Sequence, residues 1–135
     1  MSHYTANLRD IEFCLFDLLG REKVMGTSLY SDVDRDTAMG MLEEMKRLCE
    51  NDLAASFVEG DRVGATLNKE TGNVTLPASF IKSYKAYVDG EWWRVDAPVE
   101  LGGMKIPPSV RWAIAEMVLG SNPAIHIYAS GYAFA

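Results

Sequence analysis

The feature of this sequence that most constrains its fold is an apolar periodicity sustained over several helical turns. Between about Asp34 and Phe57, apolar residues return every three or four positions, which is the spacing of one face of an α-helix. That face consists of Ala38, Met41, Leu42, Met45, Leu48, Cys49 and Leu53. Asp32, Asp34 and Asp36 stand at its start, where their carboxylates can cap the first turn and favour the positive end of the helix dipole. The pattern predicts a long helix with one buried side.

Four further segments carry a helical pattern bounded by glycine or proline. They run from about Asp10 to Leu19 before Gly20, from Pro77 to Gly90, from about Pro108 to Gly120, and from Asn122-Pro123 through Phe134. The predicted apolar positions are, in order, Ile11, Cys14, Leu15 and Leu18 widened by Phe13 and Phe16; Phe80, Ile81, Tyr84, Tyr87 and Val88; Val110, Ala113, Ile114, Met117 and Val118; and Ala124, Ile125, Ile127 and Tyr128. The stretches 21–31 and 91–107 are irregular, and 64–76 is either a small hairpin or a loop. The sequence predicts an all-α fold of five or so helices.

Length, charge and cysteine content narrow the class of protein. A chain of 135 residues is the size of one domain, and a net charge of −6 repels nucleic-acid phosphates. The chain contains no apolar run long enough to span a membrane and no secretory signal core at the N-terminus. We therefore expect the two cysteines, Cys14 and Cys49, to be free thiols in apolar helix faces. The interior of a bacterium or an organelle is the default location.

Several groups of residues are candidates for a metal-binding, catalytic or binding site, and for each group we favour a structural explanation. Asp32, Asp34, Asp36 and Glu43 match the ligand spacing of a calcium loop, but Thr37 occupies the position that requires glycine, and the helical pattern starts inside the loop. An acid-rich helix N-terminus therefore explains them better.

Other candidate groups are equally incomplete. His126 has no second histidine or cysteine at metal-ligand spacing, and no nucleophile–base pair or phosphate-binding glycine loop is present. Trp92, Trp93 and Trp112 suit a core better than a binding surface, and Glu116 suits the surface. We predict no catalytic, cofactor-binding or metal-binding residue in this chain.

The chain ends in the apolar sequence GYAFA, without a helix cap, a basic residue or a polar tail. We expect it to be a fragment of a longer protein whose coding sequence continues past Ala135. Such an apolar end would leave a patch exposed, so the chain alone should be prone to self-association or marginally stable.

Four segments, in the correct order, resemble acyl-CoA dehydrogenases. Residues 90–103, GEWWRVDAPVELGG, are similar to that family's segment of a tryptophan, a proline, a glutamate and a double glycine. The helix RWAIAEMV at 111–118 and the turn GSNPA at 120–124 resemble the helix and turn that follow it. The opening YTANLRDIEF at 4–13 resembles the extra N-terminal segment of one bacterial branch.

The resemblance implies how the chain is divided and which further domains and activity the whole protein would have. Residues 1–33 would be the N-terminal extension, and 34–135 the family's N-terminal helical domain, which precedes a middle β-domain and a C-terminal four-helix bundle. The enzymes oxidise the Cα–Cβ bond of an acyl-CoA thioester: a glutamate takes the α-proton and FAD takes the β-hydride. Electrons pass to an electron-transferring flavoprotein, and the enzymes form homodimers or homotetramers. A bacterial member would be cytoplasmic.

The resemblance also implies a site. In the family, the helix after the GSNP-like turn lines the acyl-chain pocket, which here points to Ile125, His126 and Ala129. The glutamate base and most FAD contacts belong to later domains, so this chain alone should neither bind FAD tightly nor turn over substrate. The alternative is a stand-alone helical module that binds a protein partner or an acyl group without catalysis.

Overall fold

The computed structural model describes residues 2–129 and is built from helices. The α-helices are α1 (Leu8–Glu12), α2 (Arg35–Leu48), α3 (Phe57–Val63), α4 (Ala78–Asp89), α5 (Pro108–Ser121) and α6 (Pro123–Ala129). Two π-helical turns occupy Phe13–Leu18 and Cys49–Leu53, and 3-10 turns occupy Arg21–Lys23, Ser28–Tyr30, Ala54–Ser56, Trp92–Val95 and Val99–Leu101. An antiparallel pair, β1 (Thr66–Leu67) and β2 (Val74–Thr75), places Thr66 opposite Thr75. The all-α prediction is confirmed, and the segment 64–76 forms the hairpin.

The long helix confirms the periodicity that predicted it. Asp34 lies just before α2, and its carboxylate accepts a hydrogen bond from the Thr37 N–H at 2.8 Å. Hydrogen bonding by Thr37 also lowers the pKa of Asp34. The buried positions Ala38, Leu42 and Met45 lie on one face, as the pattern requires. Because α2 begins at Arg35, the acidic residues form a helix N-terminus, as expected, rather than a calcium loop.

The helical run that begins with α2 does not end at Phe57 as predicted. It changes to a π-turn at Cys49–Leu53 and a 3-10 turn at Ala54–Ser56, and then continues as α3 to Val63. The change of helix type alters which backbone groups bond to each other, yet Cys49 and Leu53 remain buried as expected.

The buried face of the first helical segment differs from the predicted face because this segment also contains a π-turn. The Leu19 N–H donates to the Cys14 carbonyl, five residues back, at 3.0 Å. This wider turn buries Ile11, Leu15 and Phe16 and leaves Phe13, Cys14 and Leu18 exposed. The predicted burial of Phe13, Cys14 and Leu18 is therefore wrong. The segment itself and its end at Gly20, which has a φ of +55°, are confirmed.

The faces of α4 and α5 were predicted with different success. In α5 all the predicted apolar positions are buried: Val110, Ala113, Ile114, Met117 and Val118. In α4, Phe80 and Tyr87 are buried, but Ile81 and Val88 are exposed and Ser83 is buried instead. Neighbouring elements pack along a narrower strip of α4 than the apolar pattern suggested.

The N-terminal segment shares one hydrophobic core with the rest of the described chain. Ala6, Leu15 and Val33 belong to the same cluster of buried residues as α2 and α5. The Tyr4 ring packs against Gly120, where an added Cβ would lie 2.5 Å from the Tyr4 Cε2 atom. Gly120 was predicted to stop α5, but the helix continues to Ser121, so the glycine instead makes room for the ring.

Several remaining expectations concern single residues or features. Cys14 and Cys49 are free thiols, and Cys49 is buried. Trp92 and Trp93 pack partly buried against the core as expected, whereas Trp112 is 61% exposed, contrary to the core prediction. No helix within residues 2–129 is long and apolar enough to cross a membrane. The predicted continuation of the last helix to Phe134 and the apolar end lie outside the described residues.

Candidate functional site

The predicted site residues lie on α6, which packs against α4 and α5. Ile125 has no solvent exposure, and Ala129 is also buried, so both side chains face the core. His126 is half-buried, at the edge of this face. The helix therefore presents two small or aliphatic groups toward the interior and one imidazole toward its margin.

The other side of α6 is apolar and open. Ile127 is 68% exposed and Tyr128 is 50% exposed. The Tyr128 ring makes edge-to-face contacts with Phe80 at 5.3 Å and with Tyr84 at 6.2 Å between ring centroids. This aromatic group joins α6 to α4. The sequence pattern predicted Tyr128 only as one more apolar residue of the helix and contained no signal for its partners, which lie on another helix.

A buried hydrogen-bond network holds the joint between α5 and α6. Asn122 has an extended backbone conformation between the two helices, and its side chain is almost completely buried. The Asn122 Nδ2 donates to the Leu53 carbonyl and to Ser56 Oγ, both at 3.1 Å. The Asn122 Oδ1 accepts from the Ile125 N–H at 3.4 Å. The sequence predicted the helix cap, which is confirmed, but not the two bonds to a segment more than sixty residues away.

The loop of residues 90–103, one of the four resembling segments, is held by hydrogen bonds to its own backbone carbonyls. The Arg94 Nε donates to the Gly102 carbonyl at 2.9 Å, and the Met104 N–H donates to the Arg94 carbonyl at 2.8 Å. Gly103 approaches the Ala97 carbonyl so closely that a Cβ would lie 1.7 Å from its oxygen. Gly103 therefore leaves no room for a side chain when the loop closes, and Gly102 has a φ of +86°, a conformation that favours glycine.

An ion pair attaches this loop to α5. The buried Asp96 carboxylate accepts a hydrogen bond from the Arg111 guanidinium near the start of the helix. The two residues thereby connect the resembling segments 90–103 and 111–118, which follow each other along the chain.

A surface groove of about 360 Å³ lies between the N-terminal helical segment and α5. Ile11, Leu19 and Trp112 supply an apolar wall, and Asp10 and Glu116 lie along it. Glu116 is exposed, as predicted. An apolar chain suits the wall, but the carboxylates would repel the phosphates of coenzyme A. The groove therefore gives little support to acyl-CoA binding by this domain alone.

One backbone N–H at the start of each of four helices is either capped or missing. A pyrophosphate usually binds to free N–H groups at a helix N-terminus. Here α2 is capped by the Asp34 carboxylate, and α4, α5 and α6 begin at or next to Pro77, Pro108 and Pro123, which have no N–H. We assign no step of flavin chemistry to residues of this chain.

The described residues also lack the groupings that metal chemistry needs. Within residues 2–129, no three or more His, Cys, Asp or Glu side chains come together in a way that could hold a metal ion. Burial raises the pKa of the Cys49 thiol to about 12 and that of the Tyr4 hydroxyl to about 12. At neutral pH both groups are therefore protonated. The residues described above can form part of a surface and can hold α6 in position.

Two known proteins that are similar to this chain are both named as dehydrogenases that act on acyl-CoA compounds. The chain is 48% identical over all of its 135 residues to a broad-specificity linear acyl-CoA dehydrogenase, FadE5, of Mycobacterium tuberculosis, and spans 22% of that protein. It is 36% identical over 115 residues, 85% of its length, to a 3-methylmercaptopropionyl-CoA dehydrogenase of Ruegeria pomeroyi, and spans 19% of that protein. No family model matches the chain. The similarity covers the whole chain and agrees with its all-α structure, so the chain belongs to the acyl-CoA dehydrogenase family, as its N-terminal helical domain.

Proposed function

We propose that this chain works as the N-terminal helical domain of a flavin-dependent acyl-CoA dehydrogenase, which oxidises the Cα–Cβ bond of an acyl-CoA thioester. The observation that carries the proposal is the 48% identity along the entire chain to a protein named for that activity. Since the chain spans only about a fifth of that relative, the base, the flavin site and most of the substrate site would be supplied by the remainder of the protein.

The part of this domain in the reaction would be to shape the acyl-chain pocket. Ile125 and Ala129, which are buried in the core, would support the wall of the pocket from behind α6, and the half-buried His126 would lie at its margin. Contact with an acyl chain contributes about 0.8 kcal/mol for each buried CH₂ group. Small side chains such as that of Ala129 leave depth, whereas an imidazole at the margin limits it.

The remaining features of the proposal concern the whole protein. FAD, bound by later domains, would accept the hydride, and a glutamate outside this chain would take the α-proton. Electrons would leave to an electron-transferring flavoprotein in the bacterial cytoplasm, and the enzyme would be a homodimer or homotetramer. The 135-residue chain by itself would be inactive.

The experiment that tests the proposal begins with the coding sequence downstream of Ala135. The full-length product is expressed and purified, its absorbance near the flavin band is recorded, and acyl-CoA substrates of increasing chain length are added with an artificial electron acceptor. We expect bound flavin that bleaches with acyl-CoA and acceptor reduction that the 135-residue chain does not support. A stop codon directly after Ala135, or a long product without flavin or turnover, would contradict the proposal. Acyl-CoA binding by the 135-residue chain as a monodisperse monomer would favour a stand-alone module.

A further inference from the structure

The joint between α5 and α6 is tied to a distant segment by the side chain of Asn122. Its Nδ2 donates to the Leu53 carbonyl and to Ser56 Oγ, and its Oδ1 caps α6 through the Ile125 N–H. A buried amide that satisfies both its donors and its acceptor holds three backbone or side-chain positions together at once. Asn122 is therefore more than a helix cap.

We call the two hydrogen bonds from Asn122 to Leu53 and Ser56 the tether. The groups that accept them lie where one helix type changes into another. The run that follows α2 passes from a π-turn at Cys49–Leu53 to a 3-10 turn at Ala54–Ser56. Two consecutive carbonyls at this change accept bonds from side chains of other elements. Asp52 O accepts from Ser83 Oγ of α4 at 2.7 Å, and Leu53 O accepts from Asn122. The segment Cys49–Ser56 is thus bonded separately to α4, through Ser83, and to the α5–α6 joint, through Asn122.

The position of α6 depends on this tether because the helix is short. A helix of 7 residues has no stability of its own in water and takes its position from its contacts. The contacts of α6 include packing against α5 and α4 and, at its first turn, the Asn122 side chain. A change in the tether would therefore shift the N-terminal end of α6, which carries Ile125 and His126.

We infer that Asn122 is a positioning residue for substrate chain length: by tying α6 to the turn at Leu53–Ser56, it sets the depth of the acyl pocket that α6 lines. The inference rests on the proposed function. It assigns Asn122 no contact with substrate and no part in the chemistry. Its effect reaches the substrate through the placement of Ile125, His126 and Ala129.

The test compares two substitutions in the full-length enzyme that remove bonds to neighbouring carbonyls. Asn122→Ser keeps a hydroxyl that can cap α6 but is too short to replace the amide's two bonds to Leu53 and Ser56. Ser83→Ala is the matched control, because it removes a buried bond to the adjacent Asp52 carbonyl without touching the α5–α6 joint. Ser56→Ala, which removes one of the two Asn122 acceptors, serves if Asn122→Ser does not fold.

The first measurement is kcat/KM for acyl-CoA substrates from four to sixteen carbons. A displacement of the pocket wall by the size of a methylene changes discrimination by about tenfold or more. We expect Asn122→Ser to change the ratio of long-chain to short-chain kcat/KM by about that factor. Ser83→Ala should lower the melting temperature and leave the ratio unchanged. Equal effects of the two variants on the ratio, or a uniform loss at every chain length, would overturn the inference.

The second measurement does not depend on activity. Hydrogen exchange followed by mass spectrometry should show faster exchange of residues 123–129 in Asn122→Ser and unchanged exchange there in Ser83→Ala. Unchanged exchange in α6 of Asn122→Ser would also overturn the inference. Failure of the proposed function is recognised separately, since the wild-type enzyme would then lack flavin and acyl-CoA oxidation before any variant is made.

Discussion

Replacing Gly120 by alanine is a direct test of how the N-terminal segment joins the helical core. An alanine Cβ at this position would lie 2.5 Å from Tyr4 Cε2 and 3.3 Å from Tyr4 Cδ2 and Cζ. Ordinary van der Waals contact begins at 3.4 Å, so the ring would have to retreat by about 1 Å. The ring cannot do so freely, because the adjacent chain is held where the Ala6 N–H donates to Glu50 Oε1 at 3.0 Å.

Two effects of opposite sign decide the magnitude. Gly120 is in a helix at negative φ, so alanine stabilises by about 0.5–1 kcal/mol through the reduced freedom of the unfolded chain. Loss of the Tyr4 packing costs about 2 kcal/mol, within the range for one large apolar side chain. We therefore expect Gly120→Ala to destabilise the protein by about 1 kcal/mol. In a Tyr4→Ala background the clash is absent, and the same substitution should stabilise by about 0.5–1 kcal/mol.

The assay is urea unfolding followed by circular dichroism at 222 nm, applied to the wild type, both single variants and the double variant. Gly40→Ala is the control, because Gly40 is a helical glycine of α2 with no heavy atom within 4 Å of the added Cβ. It should stabilise the protein equally with and without Tyr4. The reasoning is refuted if Gly120→Ala stabilises the wild type as much as it stabilises Tyr4→Ala.

Four other predictions follow from individual residues. Iodoacetamide should label the exposed Cys14 in the native protein and label the buried Cys49 only after denaturation, as read by peptide mass spectrometry. Burial raises the pKa of the Cys49 thiol from 9.0 to about 12. The stability that the neutral thiol contributes should therefore be complete below pH 9.0 and decline toward pH 12. Between these pH values the urea midpoint of the wild type should fall more steeply than that of Cys49→Ala. Gly103→Ala should destabilise by about 1–3 kcal/mol, since its Cβ would meet the Ala97 carbonyl, and an unchanged urea midpoint would contradict the tight loop closure. Asp34→Ala should lower the urea midpoint through the lost cap of α2, and Asp34→Asn, which keeps a capping oxygen, should restore most of that loss.

Helix positions could be predicted from the sequence because they depend on residues close together in the chain. The buried strip of α2, from Ala38 to Leu53 across the π-turn, and that of α5, from Val110 to Val118, lie where the periodicity indicated. Caps at Asp34 and Asn122 were equally local, since each acts on a backbone N–H three residues ahead. The family resemblance added the order of four segments and the choice of α6 as the candidate site.

The errors include cases where a local change of helix type or a distant contact departs from the pattern of an ideal helix. The π-turn at Phe13–Leu18 rotates Cys14 and Leu18 out of the core, although an ideal helix would bury them. Gly120 is explained by an aromatic ring more than a hundred residues earlier in the chain rather than by the end of its own helix. For the candidate site, the sequence indicated which helix to inspect, and the role of Ile125, His126 and Ala129 stays a prediction.

By itself the sequence determined most of the helical stretches, where most of them start, and to which family they belong. Such properties follow from spacing, capping groups and motif order over a few neighbouring residues. Only the tertiary structure decided which side of each helix is covered, why Gly103 and Gly120 must lack a side chain, and that Asn122 is bonded to Leu53 and Ser56. These depend on packing between segments far apart in the chain, where the free energy of a contact is set by what lies opposite it.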